Sequence, residues 1–286
     1  MIKLVAVDMD GTLLNDSNEI SPKNVAAINK LKEKGIEFII CTGRNFNDAK
    51  IPVENAGISC DYICMSGAGI FNRYGNQLAH TPLSKVNVIQ VFDILQQHNL
   101  YNDILTNKGV YTTVSKEYLN DFFYNDFMSM AVNFGIKKEN FNKNIKRILS
   151  RIKHSASMEE LLDRNTIIYK ISTIHSNIEL LKSLRKDLSA FSQLSVVSSF
   201  PINIEITDIK AQKGLALKEY ALERNISMRE VMAIGDSEND YSMLSMDFGY
   251  TVAMGNADES IKNISKYTTK TNLEDGVAWA IEKYAL

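Results

Sequence analysis

Leu4-Val5-Ala6-Val7-Asp8-Met9-Asp10-Gly11-Thr12-Leu13 is an apolar run that breaks into two acids, a glycine and a hydroxyl. Lys3–Val7 reads as a buried strand, short and centred on β-branched residues. Ser21-Pro22 then opens a helix with a capping hydroxyl and a proline in its first turn. Val25, Ile28 and Leu31 keep helical spacing, and Gly35 ends the helix. Ile36–Ile40 is a second buried strand, and a helix over 47–56 leads to a third, Tyr62–Met65. Strands separated by helix-length segments need crossovers, and hence a parallel sheet.

The same grammar returns near the C-terminus. Gly214–Asn225 is an amphipathic helix, and Val231–Ile234 a buried strand running into Gly235-Asp236. A helix near Tyr241–Met246, the strand Thr251–Ala253 and a last helix Gly276–Tyr284 follow. Between these halves the texture changes. Val110–Val114, Ile167–Thr173, Ser195–Ser199 and Ile202–Thr207 read as strands with partial alternation, with helical stretches such as Ile178–Leu188 between them. Ile202-Asn203-Ile204-Glu205-Ile206 alternates with period two, as a sheet covered on one face does. Elements within Glu117–Asn165 are not assignable from the pattern. The expected fold is therefore α/β: a doubly wound, Rossmann-like parallel-sheet core from residues 1–83 and 209–286, with an α+β cap inserted at 84–208.

Of the 286 residues, 45% are hydrophobic and 23% charged, with a net charge of −2, the composition of a soluble globular protein. No Lys/Arg run marks a nucleic-acid surface, and no apolar stretch reaches the roughly 20 residues of a membrane span. The apolar run before Asp8 is too short for a signal peptide. The expectation is a cytoplasmic protein with neither nucleic-acid nor membrane partners, its oligomeric state left open. The odd number of cysteines, at 41, 60 and 64, fits buried thiols in a reducing compartment. None of the four histidines stands in a catalytic pattern.

Four pieces carry chemistry. Asp8 stands at the carboxyl end of a strand, where open α/β sheets place their ligand crevice, and a two-residue step brings Asp10 to the same side. Carboxylates this close repel unless a cation or a proton intervenes. After the second strand, the Thr42 hydroxyl and the Gly43 backbone N–H suit phosphate oxygens, and Arg44 follows them as a candidate substrate contact. Lys213 begins a helix, where a fixed cation adds to an end already favourable to anions. Gly235-Asp236-Ser237-Glu238-Asn239-Asp240 puts a second acid at a strand end, with Asn239 a further candidate substrate contact and Asp240 close behind. Asp8, Asp236 and Asp240 together offer the oxygen-only donors that Mg²⁺ prefers.

Asp8-Met9-Asp10-Gly11-Thr12, Thr42, Lys213 and Gly235-Asp236-x-x-Asn239-Asp240, in this order, resemble the four motifs of the haloacid dehalogenase-like hydrolases. The insertion between Thr42 and Lys213 makes the chain similar to the Cof-type phosphatases, which carry a large α/β cap there. Further likenesses are Glu205-Ile206-Thr207, Val252-Ala253-Met254-Gly255-Asn256-Ala257 and Thr271-Asn272-x-Glu274-Asp275-Gly276-Val277. Ser66-Gly67-Ala68 stands where that group often has Asn-Gly-Ala, so Ser66 is kept out of the catalytic set.

The resemblance implies a phosphatase cycle. Asp8 is the nucleophile and forms an aspartyl-phosphate, and Asp10 is general acid and then base. Thr42, Gly43 and Lys213 bind the phosphoryl group. Asp8, the backbone carbonyl of Asp10, Asp236 and, indirectly, Asp240 hold Mg²⁺. It implies a small phosphorylated metabolite as substrate, a sugar phosphate first, with nucleotides and pyridoxal phosphate in range and the cap deciding among them. Rival readings are a phosphomutase using the same intermediate, a non-catalytic phosphate- or metal-binding sensor, and an interaction scaffold. A mutase needs a cap that holds a bisphosphate and excludes water; a sensor has no use for Asp10, nor a scaffold for four complete motifs.

Overall fold

The computed structural model describes residues 1–98, 100–127, 145–146, 149–163 and 165–286. Among them the strands run β1 (Leu4–Val7), β2 (Glu37–Cys41), β3 (Asp61–Cys64), β4 (Gly69–Phe71), β5 (Gln77–His80), β6 (Asp103–Thr106), β7 (Gly109–Thr112), β8 (Ile152–His154), β9 (Ile168–Ile174), β10 (Leu194–Val197), β11 (Asn203–Asp208), β12 (Val231–Gly235), β13 (Tyr250–Ala253) and β14 (Tyr267–Thr268). The chain divides into two compact units, Met1–Thr81 with Lys210–Leu286, and Pro82–Ile209.

The first unit is built on one sheet of order β14-β13-β12-β1-β2-β3-β4-β5. From β14 to β3 every pairing is parallel. All four residues of β1 are buried, as a central strand covered on both faces requires. Helix Pro22–Glu33 carries the chain from β1 to β2; its Ser21 cap accepts a hydrogen bond from the Asn24 N–H. Helix Phe46–Asn55 joins β2 to β3 and is capped in the same way by Asn45. The chain winds outward from β1 in one direction and from β12 in the other. The topological switch point therefore lies between these two strands, where Val7 pairs with Ile234.

The sheet is not parallel to its edge. β4 and β5 add an antiparallel hairpin, closed by Asn72, whose Oδ1 accepts from the N–H groups of Tyr74 and Asn76. Strands of three and four residues are too short to show a period, so the pattern did not announce them. The two-residue β14 escaped for the same reason.

The second unit has a sheet of order β10-β11-β9-β6-β7-β8, antiparallel except for the β7–β8 pair. Ile204 and Ile206, the alternating positions of β11, join Ile104 and Ile171 in a core with Val88, Val91 and Leu95 of helix Lys85–Gln97 and Leu181, Leu184 and Leu188 of helix Ile178–Ser189. Off that core, Glu205 is buried in a 3.0 Å ion pair with Lys170. A smaller aromatic core gathers Tyr101, Phe122 and Phe123, the Tyr101 and Phe122 rings stacking at 4.7 Å. In the Glu117–Asn165 stretch that the pattern left unassigned, β8 and helices Lys116–Asp121 and Met158–Asp163 appear; residues 128–144, 147–148 and 164 lie outside the described residues.

Cys41, Cys60 and Cys64 are free and buried, and burial pushes all three thiols up, so they serve as small core residues. No helix among the described residues is long and apolar enough to cross a membrane.

At the amino ends of β2 and β3 a polar cluster ties the sheet to helix Lys213–Glu223. The Tyr220 hydroxyl lies 3.0 Å from Asp61 Oδ2 and 3.3 Å from Glu37 Oε2. Arg224 pairs with both acids and stacks on the Tyr220 ring at 3.4 Å. Tyr220→Phe should therefore lower the free energy of unfolding by about 1.5–3 kcal/mol, the worth of a hydrogen bond to a charged group, as read by urea denaturation. Catalytic constants should stay unchanged, because the cluster sits at the opposite strand ends from Asp8.

Candidate active site

β1 stops at Val7, and Asp8 continues its line with one more ladder bond, its N–H donating to Ile234 O at 3.0 Å. The chain must then turn sharply past the end of β12. Gly11 makes that turn at φ +77°, and a Cβ there would stand 2.4 Å from Asp236 Oδ2. Only glycine meets both conditions. The next residue, Thr12, donates its hydroxyl to Asp236 Oδ1 at 2.7 Å. The two strand-end acids are thus set side by side by adjacent parallel strands and one turn.

Lys213 is fully buried among them. Its ammonium donates to Asp8 Oδ1 at 2.6 Å, Asp240 Oδ1 at 2.7 Å and Asn239 Oδ1 at 3.3 Å, which engages all three of its protons. Asp240 turns its other oxygen to the backbone N–H groups of Asp236 and Ser237, at 3.0 and 3.1 Å. Asn239 also accepts from the Ser237 hydroxyl. Both Asn239 and Asp240 therefore hold Lys213 and the loop in place.

Three carboxylates cluster around one lysine, and the imbalance shows in the proton affinities of Asp8 and Asp236. Burial first, and then Asp240, raise Asp8 well above the usual carboxylate range. The same two causes push Asp236 up to about 7. Burial alone would discharge Lys213, but Asp240 and Asp8 outweigh it and raise its affinity for the proton. The site thus lacks positive charge. One oxygen each of Asp8, Asp236 and Asp240 lies within 4.8 Å of the others, a hard-donor set suited to a divalent cation. Asp240 has both oxygens engaged already. Oδ2 of Asp8 and Oδ2 of Asp236 have no protein donor among the described residues, so these two acids fit direct ligation and Asp240 an indirect part.

The loop after β2 forms the other wall. Thr42 is buried; its N–H donates to Ile63 O at 2.8 Å, and its hydroxyl accepts from the Arg44 N–H at 3.2 Å. Ser66 and Met65 donate their N–H groups to the carbonyls of Thr42 and Arg44, at 3.1 and 2.9 Å. They do so from a turn in which Met65, Ser66 and Gly67 all have positive φ, +54°, +59° and +104°. Two non-glycine residues held there mark strain of the kind found at functional sites. The Ser66 side chain is no part of the expected catalytic set, yet its backbone helps to shape the Thr42–Arg44 loop.

Asp10 stands apart from the acidic cluster. Its side chain is 55% exposed, and Arg44 grips both its oxygens: Nε donates to Oδ2 at 2.8 Å and Nη2 to Oδ1. Any metal contact by Asp10 falls to its backbone. Sequence reasoning missed Asn256 and Asn272, except as parts of quoted motifs. Asn256 donates to Gly11 O at 2.8 Å and accepts from the Asn272 N–H, while the Asn272 side chain donates to Leu14 O at 2.9 Å. Together they hold the loop that follows the nucleophile candidate from its far side.

The sequence profile of the haloacid dehalogenase-like hydrolases matches residues 5–281. Phosphatase YwpJ of Bacillus subtilis (strain 168) is 34% identical over 279 residues, covering 97% of this chain and 98% of that protein. The 5-amino-6-(5-phospho-D-ribitylamino)uracil phosphatase YcsE of the same organism is 31% identical over 287 residues, with 100% and 96% covered. Among solved structures, a haloacid dehalogenase-like hydrolase from B. subtilis superposes with a TM-score of 0.87 at 32% identity, over 99% of this chain and 100% of that one.

Removing the buried cation while keeping the volume isolates its electrostatic part. Lys213→Met leaves Asp8 and Asp240 facing each other out of water, and should cost about 3–5 kcal/mol of stability in metal-free protein. Urea denaturation in EDTA measures it. The loss should shrink as pH falls, because Asp8, whose affinity for a proton is already raised by burial and Asp240, can then lose its charge.

Proposed function

This chain belongs to the haloacid dehalogenase-like hydrolases and hydrolyses phosphoric monoesters; within that family, we propose that it is a cytoplasmic, Mg²⁺-dependent phosphatase of small phosphorylated metabolites, sugar phosphates first, with Asp8 as covalent nucleophile. The observation that carries this reading is the buried Lys213 joining Asp8 to Asp240 beside Asp236, at the switch point of the sheet. A buried carboxylate held by a fixed ammonium has one orientation, as a nucleophile must.

An Asp8 oxygen attacks phosphorus, the ester P–O bond breaks, and the leaving alkoxide takes a proton from Asp10. Asp10 then takes a proton from water, whose oxygen attacks the phosphoryl group, releasing inorganic phosphate and restoring the Asp8 carboxylate. The Thr42 hydroxyl and the Gly43 N–H hold the phosphoryl oxygens. The Lys213 ammonium, its three protons on Asp8, Asp240 and Asn239, acts on them through its charge, with Asn239 keeping it aimed. Bound Mg²⁺, held by Asp8, Asp236 and the backbone carbonyl of Asp10, would offset the charge of those oxygens.

These residues act on the phosphoryl group or, for Asp10, on the oxygen that leaves it, which every monoester shares, so we assign selectivity to the inserted unit. The name of the uracil phosphatase YcsE describes the ester of a ribityl chain, which supports sugar and polyol phosphates as the first class to assay.

Two experiments test the reading. Asp8→Asn should abolish turnover of every substrate, since an amide cannot form the acyl phosphate; substantial residual activity would refute the covalent route. Asp10→Asn should slow turnover by roughly 10²–10⁴-fold, the usual worth of a general acid/base. The second experiment is metal removal. Activity on p-nitrophenyl phosphate should vanish in excess EDTA and return with Mg²⁺. Ca²⁺ should inhibit, because its looser coordination misplaces the nucleophile. Full turnover by metal-free protein would sink the Mg²⁺ assignment.

A further inference from the structure

Arg44 is fixed more tightly than a substrate-seeking side chain needs to be. Its backbone is tied at both ends, the N–H to the Thr42 hydroxyl and the carbonyl to the Met65 N–H. Its guanidinium meets Asp10 fork to fork, Nε on one oxygen and Nη2 on the other, an arrangement that sets the plane of the carboxylate as well as its position. The second proton of Nη2 goes to Asn18 Oδ1 at 3.0 Å. Three of the five N–H groups are thus engaged away from any ligand. Asn18 sits in a small closed turn, at φ +58°. There Asn15 Oδ1 accepts from the Ser17 and Glu19 N–H groups, so the anchor for Arg44 is itself held.

Without this grip Asp10 would be a half-exposed aspartate free to sample several rotamers. We propose that Arg44, anchored by Asn18, is a positioning residue for Asp10 rather than a contact to the substrate. The inference rests on the acid/base reading of Asp10 given above. Orientation of a proton-transfer group is worth a large part of its effect, since misplacement by about 1 Å can cost about 10²-fold. The two-point grip also lets one arm open for proton transfer while the other keeps the carboxylate in place.

The test compares kcat/KM for p-nitrophenyl phosphate and phenyl phosphate, which share a shape but differ in how much the leaving oxygen needs a proton. Arg44→Met should lower kcat/KM for phenyl phosphate at least ~10-fold more than for p-nitrophenyl phosphate, a fraction of the full acid/base contribution. Arg44→Lys keeps the charge but loses the fork, and should retain most of the defect. Asn18→Gly, an exposed change that removes the anchor and is compatible with the positive φ, should show the same bias more weakly. In an Asp10→Asn background Arg44→Met should add less than about twofold, because residues that act through one another are not additive.

Equal losses on both substrates, multiplying with those of Asp10→Asn, would overturn the inference and make Arg44 a substrate contact or a structural residue. Asp10→Asn without any leaving-group bias would instead overturn the acid/base reading, and the inference with it.

Discussion

A lysine ammonium with no access to water must find its charge and hydrogen-bond partners within the protein, and Lys213 finds them in Asp8, Asp240 and Asn239. Neither charge of the Asp8–Lys213 pair would be stable at that depth alone. The requirement reaches outward from there. Helix Lys213–Glu223 has to begin at the mouth of the sheet, and it packs so closely on the next helix that a Cβ on Gly214 would lie 2.2 Å from Ser242 O. Asp240 must turn inward, so the chain leaves β12 through Gly235, where a Cβ would stand 2.6 Å from Asp240 Cγ. Close backbone approach at three glycines, 11, 214 and 235, is the local consequence of one buried charge cluster.

The parallel sheet supplies what these contacts cannot, a common end. β1, β12 and β2 are neighbours in register, so the residues following them, Asp8, Asp236 and Thr42, emerge on one edge. The positive-φ turn at Met65–Gly67 then fastens the Thr42 loop through two backbone bonds. Polar clusters at the opposite edge, such as Asp61 with Tyr220 and Arg224, tie the elements together without entering the chemistry. A site with three buried carboxylates around one lysine keeps an excess of negative charge, and the rest of the unit carries that cost.

Much of this was legible. Buried strands at 3–7, 36–40 and 231–234 were visible as apolar runs, and the strand ends carried the acids. What stayed hidden was short or non-local. The Gly69–Phe71 and Gln77–His80 hairpin has too few residues to show a period. The parts of Asn256 and Asn272 depend on residues some 245 and 258 positions away, beyond any local pattern. Within Glu117–Asn165 aromatic residues form a core of their own, so hydrophobicity there follows neither helical nor strand spacing cleanly.

By itself, the sequence determined which groups are present at which strand ends: two acids after β1, a hydroxyl after β2, a lysine opening a helix, and acids after β12. Local propensity and spacing suffice for that, because burial period and turn chemistry act over a few residues. Only the tertiary structure decided what each group faces. It turned Asp240 and Asn239 onto Lys213, left Asp8 and Asp236 with open oxygens, and carried the Asp10 side chain out to Arg44 and Asn18. Partner choice is settled by long-range packing and by the need of each buried charge for a counter-charge, and neither is written in any one stretch of the chain.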